Sequence, residues 1–154
     1  MDQIQRKRVH QKYKKTNDYK DTNKENKEKI KNAKPILRGD IYWADLNTNE
    51  FNSKNSIQNG IRPVLVIQNN KGNLYSTTII VVPITTKRKF LPTHIPIKNK
   101  KLKDSMILAE QITTIPKAKL QKFICTLDNE TMKKVDKCLM NSVGLNGKYN
   151  SIES

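Results

Sequence analysis

The residues best suited to chemistry lie at the edges of one stretch, residues 60–86. Arg62 stands where a short apolar run begins, and Thr85 and Thr86 follow a second run. A guanidinium can bind phosphoryl oxygens in a bidentate manner, and a hydroxyl can hold the same group. If the two runs are adjacent strands, these side chains meet at one edge of a sheet, where a phosphate fits between them. Ser56, upstream of Arg62, is a further hydroxyl that can hold a phosphoryl oxygen or a leaving group.

Such a site suits a phosphodiester, and RNA in particular. RNA carries its own nucleophile, the 2′-hydroxyl, so an enzyme mainly has to align it with phosphorus and stabilise the developing charge. A plainer interpretation makes Arg62 a surface residue and Thr85 an ordinary β-former. Composition alone favours that interpretation.

Several other kinds of site are not indicated. There is no Walker motif or glycine-rich dinucleotide loop. His10 and His94 are the only histidines, Cys125 and Cys138 stand alone, and carboxylates do not cluster at ligand spacing. The sequence therefore predicts neither a metal nor a cofactor. His94 is expected to be a structural histidine rather than a catalytic base.

The charge of the chain points to a polyanionic partner. Its formal net charge is +16, from 30 Lys+Arg and 14 Asp+Glu. Charge of this size favours nucleic acid first and acidic membrane second. No apolar run approaches the roughly 20 residues needed to cross a bilayer, and no apolar segment follows the charged N-terminus as in a signal peptide. Two cysteines fit a reduced chain. The expected location is cytoplasmic.

The first 34 residues differ from the rest. They hold 12 Lys+Arg and 5 Asp+Glu, leaving 18 and 9 for the remainder, so the two parts carry +7 and +9. Apolar residues lack a sustained period, which predicts a disordered or weakly helical extension. It is either a basic arm that contacts phosphates or a solubilising extension. The expected organisation is an extension at 1–34, one domain at 35–145 and a frayed tail at 146–154.

The remaining pattern predicts short strands and one helix. Strands are expected at 36–46, 64–67, 79–82, near 94–97, at 105–115 and at 123–127, with a connector at 116–122 and a helix from about 129 to 142. Asp128 or Asn129 could cap this helix and Gly144 stops it, and Met132, Val135, Leu139 and Val143 have the spacing to face the core. A turn rich in asparagine, residues 69–73, is expected to join the second and third strands as a hairpin. Short turns between strands favour an antiparallel sheet. The predicted fold class is α+β, dominated by a small curled antiparallel barrel with a C-terminal helix.

Two polar segments are candidate substrate contacts. Residues 47–59 form a long polar loop that leads into Arg62 and is a plausible substrate gate. Lys87, Arg88, Lys89 and Phe90 combine cations with an aromatic ring, a composition that suits single-stranded nucleic acid. Three adjacent cations are also common in solvated loops. Glu110, inside a predicted strand, is expected to be paired or at a rim rather than catalytic.

Five blocks in order resemble the MazF/PemK toxins of bacterial toxin–antitoxin pairs. They are RGDIYWADL at 38–46, SIQNGIRP followed by VLVIQN from residue 56, IIVVPIT at 79–85, LPTHIPI at 91–97 and DSMILAEQITTI at 104–115. The resemblance covers about residues 36–145, including VDKCLMNSVGL in the predicted helix. The charged extension lies outside it.

This resemblance implies a homodimeric, ribosome-independent endoribonuclease on a small SH3-like barrel. Such enzymes cut single-stranded RNA at short sequences without a metal, leaving a 2′,3′-cyclic phosphate and a 5′-hydroxyl. By matching position, the family's catalytic arginine and threonine fall on Arg62 and Thr85, and a loop serine that assists falls on Ser56. The resemblance also implies an antitoxin whose extended acidic C-terminal segment blocks the RNA groove.

RNA contacts are predicted around these three residues, at Gln58, Asn59, Asn69, Lys87, Arg88, Lys89, Phe90, His94 and Gln111. The chain departs from the family pattern at two places. Some relatives carry a carboxylate just before the arginine, where this chain has Ile61, so the general base is unassigned. Close relatives commonly have arginine where this chain has Thr113, which leaves open a toxin of weakened activity. Specificity for an RNA sequence is expected to lie in the loops at 47–59, 86–91 and 98–104, and residues 99–104 form a further basic turn.

Two other functions remain open at the level of sequence. One is a non-catalytic relative on the same barrel that binds a protein target such as a topoisomerase. The other is an RNA-binding or regulatory module that has lost activity and binds through its basic extension. The set of Arg62, Thr85 and Ser56 argues against the first of these. Cleavage in chelator would separate both from a nuclease.

Overall fold

The computed structural model describes residues 7, 8, 11, 34–47, 56–147 and 150–152. Apart from residues 7, 8, 11 and 34, the predicted extension lies outside the described residues. So do residues 48–55 of the predicted gate and residues 148, 149, 153 and 154 of the predicted tail. Within the described part of the chain, no helix has the length and apolar composition needed to cross a membrane.

The described residues between 34 and 147 form seven strands, two α-helices and a 3₁₀ helix. In chain order these are β1 Asp40–Asp45, β2 Ile61–Val66, α1 Asn70–Tyr75, β3 Thr78–Thr85, β4 His94–Asn99, β5 Leu102–Leu108, β6 Thr113–Pro116, a 3₁₀ helix Lys117–Lys119, β7 Leu120–Thr126 and α2 Asn129–Ser142.

All the strand pairs are antiparallel, and β3 is the centre of the sheet. Strands run in the order β4-β5-β3-β2-β1-β7, with β6 paired to β3. One edge of β3 pairs with β2, while β6 pairs with residues 78–81 and β5 with residues 84 and 85. Because β3 changes partner along its length, the sheet curls into a half-barrel. The predicted α+β fold with a curled antiparallel sheet and a C-terminal helix is confirmed.

The central strands are buried on both faces. Ile41, Leu65 and Val82 belong to one apolar cluster, against which Met132 and Leu139 of α2 pack. A second cluster holds the alternate residues of the same strands, Tyr42, Ala44, Val64, Val66 and Val81. Side chains alternate between the two faces of a strand, so two cores form on either side of one sheet. The apolar runs of β2 and β3 reflect this double burial.

The predicted turn between β2 and β3 is a short helix instead. Asn69 is the N-cap of α1, and its side chain accepts a hydrogen bond from Gly72 N at 2.8 Å. Asn70 Oδ1 accepts from Arg38 N at 2.7 Å, and the side chain of buried Asn73 donates to Gln68 O at 3.1 Å. Asparagine is common both in turns and at helix caps, so composition alone could not separate the two.

Other predicted boundaries also need correction. The single strand expected at 105–115 is two strands, β5 and β6, separated by a turn at residues 109–112. The connector expected at 116–122 holds a 3₁₀ helix and the start of β7. The first strand begins at Asp40 rather than at residue 36, since Leu37 N donates to the buried Asp40 carboxylate at 3.0 Å in a turn. Apolar composition continues through these turns and hides them from the sequence.

The C-terminal helix matches its prediction closely. Asp128 is its N-cap, and the chain leaves the helix at Gly144, whose φ of +73° favours glycine. Met132, Val135 and Leu139 pack into the core as expected. Val143, which was expected to face the core, is 54% exposed because the helix ends before it.

We expect Asp128→Ala to lower the free energy of unfolding by about 1 kcal/mol, the usual effect of losing an N-cap. The Asp128 carboxylate accepts from Thr131 N at 2.7 Å and from Thr131 Oγ1 at 2.9 Å, and these bonds lower the pKa of Asp128 below its ordinary value. Stability from a lowered pKa is present above the ordinary value and is lost as pH falls through the folded one. The penalty should therefore shrink below about pH 4.

Urea unfolding at several pH values measures this effect. Asp128→Asn is the matched control, since asparagine caps helices well but does not titrate. Its stability relative to Asp128→Ala should change little with pH. An Asp128→Ala penalty that stays constant down to pH 2 would contradict the capping role.

Candidate functional site

Arg62 and Thr85 are brought together by the pairing of β2 with β3. Val64 pairs with Pro83 in the last pair of this ladder, and Arg62 and Thr85 each lie two residues beyond it. Both residues line the same pocket, which has a volume of about 500 Å³. The structure therefore brings the two residues to one pocket at the ends of paired strands, and their roles in catalysis stay a prediction. The pocket is large enough for a phosphodiester and its flanking groups.

The same pocket contains cations that the sequence did not single out. Lys101 and Lys103 line it, together with Ser105 and the rim residue Trp43. These lysines lie at the turn between β4 and β5, and β5 reaches the pocket because Met106 pairs with Thr85. The basic turn at residues 99–104 was expected to influence RNA specificity. Its lysines line the same pocket as Arg62 because β5 pairs with β3, two strands that are distant in sequence. Three cationic residues, Arg62, Lys101 and Lys103, therefore line the pocket that Thr85 also lines.

The Arg62 guanidinium is held by the loop that precedes it. Its Nε donates to Asn59 O at 2.7 Å, and its Nη1 donates to Gln58 Oε1. Burial lowers the pKa of Arg62 from its ordinary value, yet an arginine side chain stays protonated in proteins. A guanidinium has five N–H donors, so two bonds to the loop leave part of the fork to bind an anion.

Thr85 presents its hydroxyl at the end of β3. Its Oγ1 accepts a hydrogen bond from Lys87 N at 3.2 Å. A hydroxyl that accepts from the main chain keeps its own hydrogen to donate. The residue is half-buried, whereas Thr86 is exposed. Thr85 can therefore donate to an oxygen in the pocket while its position is maintained by the backbone.

The predicted contacts Gln58, Asn59 and Gln111 line a neighbouring pocket of about 440 Å³. Gln111 joins two sides of the loop, because its Oε1 accepts from Gln58 N at 2.9 Å and its Nε2 donates to Ser56 O at 3.0 Å. The buried Oδ1 of Asn59 has no hydrogen-bond partner among the described residues.

Ser56 lies beside this second pocket rather than in the first. Its main-chain oxygen is fixed by Gln111, and the residue is exposed. It does not line the pocket of Arg62 and Thr85. The structure therefore brings together two of the three predicted catalytic residues, and the role of Ser56 stays a prediction.

The basic loop follows directly from Thr85. Lys87, Arg88, Lys89 and Phe90 are all exposed, with Phe90 at 74%, so they are accessible to a polyanion. Arg88 lies 3.9 Å from the Asp104 carboxylate, an exposed pair of small energetic value. These four residues do not line the Arg62 pocket. They extend the cationic surface beyond it.

His94 lies in the setting expected of a structural histidine. Its side chain is only 6% exposed, and its ring lies between two oxygen atoms. Nδ1 is 2.5 Å from Lys89 O, and Nε2 is 2.8 Å from Glu110 Oε1. The ring thus connects the basic loop to the turn after β5. Glu110 is paired, as expected.

Asn69, another predicted RNA contact, lies just after β2, beyond the end of that strand that is opposite to Arg62. It caps α1 after the C-terminal end of β2, whereas Arg62 is near the N-terminal end of that strand. The structure does not bring the two together, so a contact of Asn69 with RNA remains a prediction. The two departures from the family pattern do lie near the site. Ile61 lines the Arg62 pocket and Thr113 lines the second pocket.

The site has no cluster of metal-binding side chains in the described part of the chain. There, no group of three or more His, Cys, Asp and Glu residues is placed to share an ion. The chemistry of the pocket is that of cations and a hydroxyl. This combination binds phosphoryl oxygens through charge-assisted hydrogen bonds.

Solved structures similar to this chain share its fold. An endoribonuclease from a Mycobacterial species, in complex with its cognate antitoxin, is 26% identical, with a TM-score of 0.61 over 71% of this chain and 96% of that one. The Mycobacterium tuberculosis toxin MazF-mt6 is 24% identical, with a TM-score of 0.57 over 68% and 95%. MazF from Deinococcus radiodurans is 17% identical, with a TM-score of 0.61 over 71% and 96%. The last two likenesses concern the fold alone.

A family model matches residues 37–143, which is more than half of the chain and contains every strand and the C-terminal helix. Its description is the PemK-like, MazF-like toxin of type II toxin–antitoxin systems. The match includes the Arg62 and Thr85 pocket, Gln111 and the basic loop. The chain therefore belongs to the PemK-like, MazF-like toxins of type II toxin–antitoxin systems.

Proposed function

We propose that this toxin is a metal-independent endoribonuclease that cuts single-stranded RNA at short sequences. The observation that carries this proposal is that Arg62 and Thr85 line one pocket that Lys101 and Lys103 also line. Cations and a hydroxyl around one small pocket suit the stabilisation of a phosphoryl group. The similarity to a solved endoribonuclease adds support.

The proposed reaction is an attack of the RNA 2′-hydroxyl on the adjacent phosphorus. The O2′–P bond forms, the P–O5′ bond breaks, and the products are a 2′,3′-cyclic phosphate and a 5′-hydroxyl. A proton leaves O2′ and one is delivered to O5′, so the reaction balances without another reactant. Arg62 binds the phosphoryl oxygens, where negative charge increases in the transition state. Thr85 donates to one of these oxygens and keeps the phosphate in line.

The proton acceptor stays unassigned. The position before Arg62 is Ile61, which is 58% exposed and carries no titratable group. His94 is held between Lys89 O and Glu110 and does not line the Arg62 pocket. Charge stabilisation by the cations is therefore the main contribution that the described residues can make.

Proposed contacts with the substrate extend from the pocket in two directions. Lys87, Arg88 and Lys89 can bind phosphates, and a base can stack on the exposed Phe90 ring. On the other side, the pocket of Gln58, Asn59 and Gln111 can read the edge of a base through amide groups. Discrimination between bases would depend on this second pocket, since phosphate contacts do not read sequence.

The proposed partner is an antitoxin with an acidic, extended C-terminal segment. A net charge of +16 favours fast association with such a segment. One similar endoribonuclease was solved with its cognate antitoxin. A homodimer in the cytoplasm completes the proposal, and light scattering of the purified toxin tests the dimer.

The proposal is tested with purified protein, a long single-stranded RNA and excess EDTA. Mapping the cut sites and the end groups should show cleavage at one short sequence, with cyclic-phosphate and 5′-hydroxyl ends. RNA that stays intact in the presence of folded protein would overturn the nuclease. The chain would then act by binding, either as a weakened RNA-binding relative or on a protein target, and capture from lysate would separate these two.

We expect Thr85→Val to lower kcat/KM for RNA about 10- to 100-fold. Valine keeps the shape and the strand propensity of threonine but removes the hydroxyl, and a hydrogen bond to a charged group contributes about 1.5–3 kcal/mol. Single-turnover cleavage measures the loss. Thr78→Val is the matched control, because Thr78 is an exposed threonine at the other end of β3 and does not line this pocket. Equal losses in the two variants would contradict a specific role for Thr85.

A further inference from the structure

We propose that the turn at residues 109–112 is a two-armed anchor that positions the loops on both sides of the Arg62 pocket. Gln111 holds residues 56–59, and Glu110 holds the basic loop through His94. The turn itself is well fixed, since Ala109 is fully buried and Ala109 N donates to Thr93 O at 3.0 Å. The consequences for catalysis rest on the function proposed above, but the anchor itself does not.

The first arm is the primary amide of Gln111. Its Oε1 accepts from Gln58 N at 2.9 Å and its Nε2 donates to Ser56 O at 3.0 Å. These bonds bracket Ile57 in the way that a neighbouring strand would pair with it. Only a group with an acceptor and a donor side by side can make both bonds. A glutamate at this position would lose the donor and place an oxygen against Ser56 O.

This arm reaches Arg62 through the same loop. Gln58 Oε1 and Asn59 O accept the two hydrogen bonds that orient the guanidinium. The loop then turns through Gly60, whose φ is +78°. Gln111 therefore acts on Arg62 indirectly, as a positioning residue. Without the Gln111 side chain, the Arg62 guanidinium should lose its fixed orientation but keep its charge.

The second arm is the pair of Glu110 and His94. A carbonyl can only accept, so His94 Nδ1 must donate to Lys89 O, and Nε2 then shares a proton with the Glu110 carboxylate. Because the His94 side chain is 6% exposed, both bonds are largely shielded from water. Lys89 lies within the basic loop, so the two hydrogen bonds of His94 fix the position of residues 87–90. The ring is a support for the loop rather than a contact for RNA.

The two arms should be separable by substitution. Gln111→Ala removes the first and leaves His94 and Glu110 in place. Glu110→Ala removes the second and leaves both Gln111 bonds. Glu110→Gln is the conservative variant, since a glutamine amide can donate to Nε2 of a neutral imidazole while Nδ1 still donates to Lys89 O. Gln121→Ala, at an exposed glutamine of β7, is the matched control for Gln111→Ala.

Hydrogen–deuterium exchange of the full chain tests the anchor without any RNA. Gln111→Ala should raise exchange about tenfold at Gln58 and leave the basic loop unchanged. Glu110→Ala should increase exchange at residues 87–94 only, and Glu110→Gln should restore it. Unchanged exchange at Gln58 would overturn the first arm, and unchanged exchange at 87–94 the second. Faster exchange throughout the sheet in both alanine variants would show a general loss of stability and overturn both.

Cleavage kinetics then test what the anchor does for the site. Gln111→Ala should lower kcat about tenfold because the Arg62 guanidinium loses its orientation. Glu110→Ala should raise KM because the basic loop is no longer held in the position that binds RNA. In an Arg62→Lys background, the lysine has no planar guanidinium for the loop to orient. Adding Gln111→Ala to this variant should therefore lower kcat little further. Additive losses would overturn the link to Arg62. If the wild type cuts no RNA, the proposed function fails, but the exchange experiment still decides whether the anchor exists.

Discussion

Arg62→Ala is expected to reduce RNA cleavage in EDTA by about 10²–10³-fold, the largest effect of any single substitution at this site. Arg62 lines the same pocket as Thr85 and is oriented by Asn59 O at 2.7 Å and by Gln58. Its removal takes away a charge and a fork of donors from the position where phosphoryl oxygens gain charge. A thousandfold loss corresponds to about 4 kcal/mol of transition-state stabilisation. The measurement is single-turnover cleavage of an RNA that contains one site.

Two controls make this result specific to Arg62. Arg62→Lys keeps the charge but loses the planar fork, and it should recover only part of the activity. Lys133→Ala removes one positive charge from an exposed position of α2 and should leave cleavage nearly unchanged. If Arg62→Ala cuts RNA at the wild-type rate, the pocket is not the catalytic site. If Lys133→Ala lowers cleavage as much, net charge rather than geometry determines the rate.

Leu65→Ala is expected to lower the free energy of unfolding by about 2–5 kcal/mol. Leu65 is fully buried in the cluster that also holds Ile41 and Val82, and its strand β2 pairs with both β1 and β3. A smaller side chain leaves a cavity that a strand held on both edges cannot close. Such a loss is a large part of the roughly 5–15 kcal/mol that stabilises a typical domain.

Chemical denaturation followed by circular dichroism measures this loss. Leu145→Ala is the matched control, since Leu145 lies after α2 and is 74% exposed, and it should cost less than about 0.5 kcal/mol. Equal effects of the two substitutions would contradict the assignment of Leu65 to the core. Below its unfolding transition, Leu65→Ala should still cut RNA, because Arg62 and Thr85 keep their places at the strand ends.

Much of the fold could be predicted because its strands and its main helix carry local patterns. The apolar runs of β2 and β3, the Asp128 cap and the stop at Gly144 were all predicted and are observed. The errors have a common cause. Residues 69–73 and 109–112 have compositions that suit more than one backbone conformation, and tertiary contacts decided between them. Asn73 of α1 is buried and Ala109 N donates to Thr93 O, which the sequence does not reveal.

The site could be predicted only in part, for a related reason. Arg62 and Thr85 stand at the ends of runs that had to pair, so their meeting followed from the hairpin-like order of β2 and β3. Lys101 and Lys103 reach the same pocket only because β5 pairs with the other edge of β3. His94 was expected to be structural, but its partners Lys89 O and Glu110 belong to segments whose contact with it the sequence does not reveal.

By itself, the sequence determined the antiparallel β-rich fold, the strong positive charge, the family and the pair of side chains with phosphate chemistry. Each of these depends on residue type and on patterns within short segments of the chain. The tertiary structure decided which edges of β3 carry β5 and β6, and therefore which lysines line the pocket of Thr85. It also decided that Gln111, 53 residues from Gln58, holds the loop that orients Arg62. Hydrogen bonds between distant segments depend on the packing of the whole sheet, so local patterns cannot specify them.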